Sequence, residues 1–420
     1  MKYLAKISDK YKIALLYFMF YIFVLGIHLP MKRVSDDIRF AAFDAGSVFN
    51  VFKYYWSVGT GKYLSDGIGL FAVKMPFFAW KLIDSFVYCI IAESIYYLSG
   101  KERIFSRIII CIFLLMFPFH YMNSAGYVVT TASYVYPFLG LLLALIPFQN
   151  IYNKKRTNIV HLVLALAGGA IAGNQEQTLF VLMSVSVCLT CLMWKKLTGN
   201  NRIKTISLIV VYLCEGLFFF LSPGHLSRMT DTYELNTYLP QFAGWSVLYK
   251  ALRGISSTFA VILFSSYSLF WVLSLLIGVL GVIRKKYIFS IPICVMGAVK
   301  VIGCDRFVTA YDYSYGMPDA IYPVNDPGFI RFGIACILIV GFSMLAFFML
   351  TSGEKRLFLL LAMSLSLASR FMMGFSCTIF ASSYRTFSLL SFGLIIICIS
   401  ICDSIADELN SRTGRTEVRE

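Results

Sequence analysis

The sequence predicts an all-α polytopic membrane protein with about 12 transmembrane helices (11–13). Three observations carry that reading. The chain is 59% hydrophobic and only 14% charged, with a mean hydropathy of +0.75. Apolar runs of about 18 residues, enough for a helix to cross ~30 Å of hydrocarbon, recur to the end of the chain. The connections between them alternate in charge, as orientation by Lys and Arg requires. A soluble chain of 420 residues would divide into two or three domains, but here the whole of 1–402 reads as one transmembrane domain and 403–420 as a short cytoplasmic tail.

In order, the first span is 11–30. It follows Lys2, Lys6 and Lys10, and so superficially resembles a signal peptide. It is too long for one and ends in His28 and Pro30 rather than a small-residue cleavage site, so a retained helix is expected. A polar segment, 31–77, comes next, with 64–80 a candidate re-entrant or interfacial stretch. Spans 78–99 and 104–122 flank the basic turn 101–107, and 132–152 ends at NKKR. Span 158–173 is short, and Gly168, Gly169 and Gly173 give it room for a close helix approach or a tight turn. Span 176–194 carries Cys188 and Cys191, a CxxC inside apolar sequence that reads as small core residues rather than a metal site. Pro223 and Gly224 stop span 204–222. The remaining spans are 256–283, 287–303, 330–351, 355–375 and 385–402. Cys304 and Cys377, near the outer ends of spans, are a candidate bridge.

Alternate connections, together with the N-terminus, hold nineteen Lys or Arg against three Asp or Glu. Both termini are therefore expected in the cytoplasm. The net charge of +15 is spent on this topology signal, and no nucleic-acid partner is expected. The opposite connections (31–67, 123–131, 173–178, 222–253, 304–328 and 374–384) are more elaborate and rich in functional chemistry. That asymmetry places the working surface outside the cytoplasm. It also argues against a transporter, which needs gates at both faces and ionisable groups near the midplane. No tandem or inverted repeat is evident.

Asp36 and Asp37 stand side by side just beyond the first span. On a helix, successive residues are ~100° apart, so one carboxylate can face a reaction centre while the other binds elsewhere. The bland alternative is a solvated loop of balanced charge. Glu176, in GNQEQT, is either a functional carboxylate near membrane depth or part of a helix start capped by Asn174. In SPGHLSR, His225 and Arg228 emerge at the interface. Arg suits phosphate, although a structural histidine and a snorkelling arginine are the simpler readings. Arg370, within the eleventh span, and Arg385, opening the twelfth, are costly in lipid unless they meet an anion. Pairing with Glu215 or Asp84 is the alternative. Lys62 and Lys300 add cations around the outer mouth. Tyr54, Tyr55, Trp56, Tyr311, Tyr313 and Tyr315 are candidates for stacking on sugar rings, against a filler role.

The ordered set SDD, TGKYLSDG, GNQEQT, SPGHLSR and SSYRTF resembles the GT-C superfamily of integral-membrane glycosyltransferases. More narrowly, it resembles the bacterial Gtr-type enzymes that decorate cell-surface polysaccharides. The turn reads Asn-Gln-Glu where a His or Glu pair is expected, and the short tail lacks the large soluble domain of oligosaccharyltransferases. The resemblance implies a GT-C fold in the bacterial plasma membrane. It also implies a polyprenyl-phosphate-linked sugar (glucose or a similar hexose) as donor, with its lipid among the helices. The acceptor would be a polysaccharide or lipid-linked glycan. Asp36 or Asp37 would be the general base. Arg228, Arg385, Lys62 and Arg370 would hold the donor phosphate, and Glu176, His225, Tyr54 and Asn174 would bind substrate. No cofactor or metal is expected. A polysaccharide polymerase, a flippase of lipid-linked sugars and a non-catalytic scaffold are the competing classes.

Overall fold

The computed structural model describes residues 2–44, 46–100, 103–195, 197–229, 232–264, 269–290 and 327–417. Among them all regular structure is helical and there is no strand. Among the described residues, eight helices are long and apolar enough to cross a membrane, with shorter apolar helices at Ile159–Gly173, Leu269–Ile283 and Leu338–Leu350. The chain therefore has the build of a polytopic helical membrane protein. Exposure agrees with a lipid surround: Phe18 and Phe23 of the first helix are 59% and 57% exposed. Apolar faces of this extent would not stay in water.

Contacts group the chain into two units. The first comprises Met1–Leu115, Phe119–Thr232 and Tyr384–Leu389. It holds α1 (Lys2–His28), α2 (Asp36–Ala42), α3 (Val48–Ser57), α4 (Tyr63–Lys74) and α5 (Phe77–Ser99). There follow α6 (Ile104–Leu115), α7 (Tyr127–Tyr152), α8 (Ile159–Gly173), α9 (Glu176–Met193), α10 (Gly199–Phe220) and α11 (Pro223–Met229). The polar segment 31–77 is thus three short helices. Ser47 caps α3 by accepting from Asn50 N. α4 stops at Met75, which is extended because Pro76 follows it. Gly100, in the left-handed region, closes α5.

α7 is the axis of this unit, packed against α4, α5, α8 and α9. α7 and α8 meet at Gly140 and Gly168, where a Cβ on either glycine would come within 2.6 Å of the other helix's backbone oxygen. Close approach at Gly168, Gly169 and Gly173 accords with the sequence, the latter two facing Tyr212 and Glu215.

The two ends of the first unit differ. At one end, Tyr97 Oη donates to Asn150 Oδ1 (2.5 Å) and Asn150 meets His161 (3.2 Å). Ile151, Met193 and Leu197 pack together there. These residues adjoin the basic connections. At the other end lie α2 to α4, the α8–α9 turn, the α10–α11 break and residues 384–389, all bearing the polar motifs.

The second unit comprises Met116–Pro118, Tyr233–Ser383 and Leu390–Glu420. It includes α12 (Thr232–Tyr238), α13 (Val247–Phe264), α14 (Leu269–Ile283), α15 (Pro327–Leu350), α16 (Gly353–Phe371) and most of α17 (Ser388–Glu417). Its basic turns again share one end: Lys286 Nζ donates to Met349 O (2.6 Å), and Arg284 pairs with Glu408 (3.3 Å). α13 and α16 cross closely where Gly254 meets the Phe371 carbonyl and Gly374 meets that of Lys250.

Three details depart from the sequence reading. The span expected at 256–283 is described as α13 and α14 on either side of 265–268, which lie outside the described residues, and α13 begins nine residues earlier, at Val247. The last helix continues past 402 to Glu417. Cys191, expected in the core, is exposed on the apolar surface of α9. Most of 287–303, and Lys300, Cys304, Tyr311, Tyr313 and Tyr315, lie outside the described residues.

Candidate functional site

Asp36 and Asp37 open α2 and diverge as helical spacing requires. Asp37 is fully buried, and its Oδ1 accepts from Val128 N (3.1 Å) and Val129 N (3.0 Å) at the start of α7. It therefore caps a helix 91 residues away in the chain. Burial raises its pKa, against the pull of these backbone donors. Asp36 is 30% exposed and 3.3 Å from the well-exposed Arg39, while its backbone N–H donates to Ala125 O. Of the two, only Asp36 presents a carboxylate to an arriving molecule.

Behind the acidic pair lies a polar hub built from three of the motifs. Lys62 Nζ is 2.7 Å from Glu176 Oε2, with the two side chains only 14% and 28% exposed. Burial, the largest single influence, would lower the Lys62 pKa, but the Glu176 carboxylate together with Tyr134 holds the value above the ordinary one. Thr60 Oγ1 donates to Asp66 Oδ2 and accepts from Lys62 N. Burial pushes the Asp66 carboxyl up, offset in part by Thr60 and Lys62. Asn174 Oδ1 accepts from Leu64 N (3.0 Å) and Ser65 N (3.1 Å). Asn174 thus caps α4, not the helix that follows it. α9 is capped instead by Gln175, whose side chain accepts from Thr178 N (2.8 Å).

The SPGHLSR motif joins through Gly61. With φ +78°, Gly61 lies where a Cβ would come within 2.7 Å of His225 Cβ and 3.0 Å of His225 N. Burial lowers the His225 pKa. Arg228 is close enough to act electrostatically on Lys62, Asp66 and His225. The SSYRTF segment is tied in by Gln177 Nε2, which donates to Thr386 O (3.2 Å), and by Tyr384 stacking on Tyr121. Arg385 sits on this segment, part-exposed.

Tyr55 connects the hub to the acidic pair. Its phenol is held above its usual range by burial, then by the charges of Asp66 and, more weakly, Asp36. Tyr54 lies on the exposed side of α3, packed on Phe43 (4.8 Å between ring centroids) and Tyr55 (5.4 Å).

Arg370 belongs to the second unit and is fully buried there. Glu215 and Asp84, weighed as its buried partners, have other company: Glu215 accepts from Tyr63 (2.5 Å), and Asp84 lies 3.2 Å from His28. Reasoning from sequence passed over Thr60, Tyr63, Ser65 and Asp66. The i, i+4 spacing of Lys62 and Asp66 was the available signal for the last. Among the described residues no group of three or more His, Cys, Asp or Glu is arranged to hold a metal ion. Comparisons with family models, with characterised proteins and with solved structures find no match to the chain.

Proposed function

We propose that this protein is an inverting glycosyltransferase of GT-C type. It would move a hexose from a polyprenyl-phosphate donor to a cell-surface polysaccharide or lipid-linked glycan, at the extracytoplasmic face of a bacterial plasma membrane. The observation that supports this most is the convergence, at one end of the first unit, of four polar motifs and an accessible aspartate. They come from segments as far apart as Asp36 and Thr386. A scaffold has no need of such a gathering, and a transporter would carry comparable chemistry at the opposite, basic end.

In this reading Asp36 accepts the proton of the acceptor hydroxyl as its oxygen attacks the anomeric carbon. The new C–O bond forms as the bond to the phosphate oxygen breaks, and that electron pair leaves with the polyprenyl phosphate. A single displacement inverts the anomeric centre. Arg228 and Arg385 counter the charge gathering on the leaving phosphate. Asp37 holds the start of α7, and through it the position of α2. Tyr54, His225 and the Glu176 turn surround the sugar.

The lipid that co-purifies with the protein tests the reading. Extraction and mass spectrometry should find a polyprenyl phosphate bearing a hexose. Consistent recovery of phospholipid alone, even after supplying the glycosylated lipid during purification, would count against it.

A further inference from the structure

Asn174 and Ser65 are fully buried in the hub, and each has a side-chain polar atom with no hydrogen-bond partner among the described residues: Asn174 Nδ2 and Ser65 Oγ. The two residues touch, since Asn174 Oδ1 accepts from Ser65 N at 3.1 Å. Two neighbouring residues of the hub therefore each carry an unfilled polar atom. His225 Nδ1, on the neighbouring motif, is also buried and without a partner. Native structures leave few such groups unfilled, and a bound ligand or water is one way to satisfy those that remain.

The charges around these atoms indicate the kind of ligand. Lys62 lies among two carboxyl groups, Glu176 and Asp66, and is already engaged at 2.7 Å by Glu176. A phosphate arriving at Lys62 would have to displace Glu176 and lie against two acids. A sugar hydroxyl both donates and accepts. It can give its hydrogen to Glu176 or Asp66 while taking one from Asn174 Nδ2, Ser65 Oγ or Lys62, with no ion pair broken.

We infer that the hub is a subsite for the hydroxyls of a neutral hexose, with Asn174, Ser65, Asp66 and the Lys62–Glu176 pair as its ligands. This rests on the transferase reading and assigns Lys62 to the sugar instead of the donor phosphate. Ser65 and Asp66, outside the sequence-derived set, become specificity-determining residues.

The test measures binding of two probes to the purified full-length chain in detergent: a short-chain polyprenyl phosphate, and the same lipid esterified to a hexose. Ser65→Ala removes only an unbonded oxygen, and Glu176→Gln keeps the shape of the turn. Each should weaken binding of the hexosyl lipid about tenfold, the worth of one hydrogen bond. Affinity for the sugar-free lipid should not fall. Equal losses for both lipids, or no loss for either, would overturn the sugar assignment while leaving the transferase reading in place. A wild-type chain that binds neither lipid would sink that reading, and the subsite with it.

Discussion

At the first turn of α2, two adjacent carboxylates meet different surroundings, and substitutions should separate them. Asp37 satisfies two N–H groups at the start of α7 from a buried position. Asp37→Ala leaves those donors without their acceptor and should lower stability by about 1–3 kcal/mol, read as thermal unfolding in detergent. Asp36 faces outward, 3.3 Å from an exposed Arg39. Asp36→Asn should change stability by less than about 0.5 kcal/mol. A pH effect follows from Asp37 and Asp66, whose folded pKa values are both raised, chiefly by burial. The folded chain keeps these protons at a pH where the unfolded chain, with carboxyls near ~3.9, has released them. Their contribution is therefore complete below that value and is lost as pH rises through the raised one. Asp66→Asn should flatten the decline of thermal stability across that window, and an unchanged slope would argue against the burial account. The acidic pair and Lys62 were legible as candidates because charge is scarce in this chain. Which aspartate caps a helix was not, because the helix it caps begins 91 residues away in sequence.

Among the elements, the α3–α4 turn depends on one backbone conformation. Gly61→Ala puts a side chain at φ +78° and drives its Cβ into His225. It should cost at least about 1 kcal/mol from the strained conformation alone and lower any sugar-lipid binding, because it lifts Lys62 and α4 off the α10–α11 break. Gly168→Val should separate α7 from α8 and destabilise the chain by about 1–3 kcal/mol. Partial proteolysis or thermal unfolding would report it. The long helices were legible from hydropathy because lipid demands an apolar run of fixed length. The short ones were less so. α2 and α3 are held by neighbours from elsewhere in the chain, such as Ala125 under Asp36 and the Phe40–Tyr55 stack.

For the molecule as a whole, orientation rests on the alternation of basic and motif-bearing connections. In the first unit these connections occupy opposite ends of the helices. Single cysteines at Ser47 and Thr198, both exposed, in a background lacking the eleven native cysteines, should label from opposite sides of the membrane. Labelling from the same side would undo the topology. Charge patterning made this organisation legible from the sequence. The hub was only half legible, since its motifs could be named but not joined: Asn174 reaching α4 and Gln177 reaching Thr386 are contacts that spacing does not encode. The central claim is glycosyl transfer. Purified protein in detergent, given a labelled polyprenyl-phosphate hexose and a glycan acceptor, should form a glycosidic bond with inversion at the anomeric carbon. Asp36→Asn should be slower by about 100-fold or more with its thermal stability intact. Absence of any transfer by the wild-type chain, or full activity in Asp36→Asn, would contradict the account.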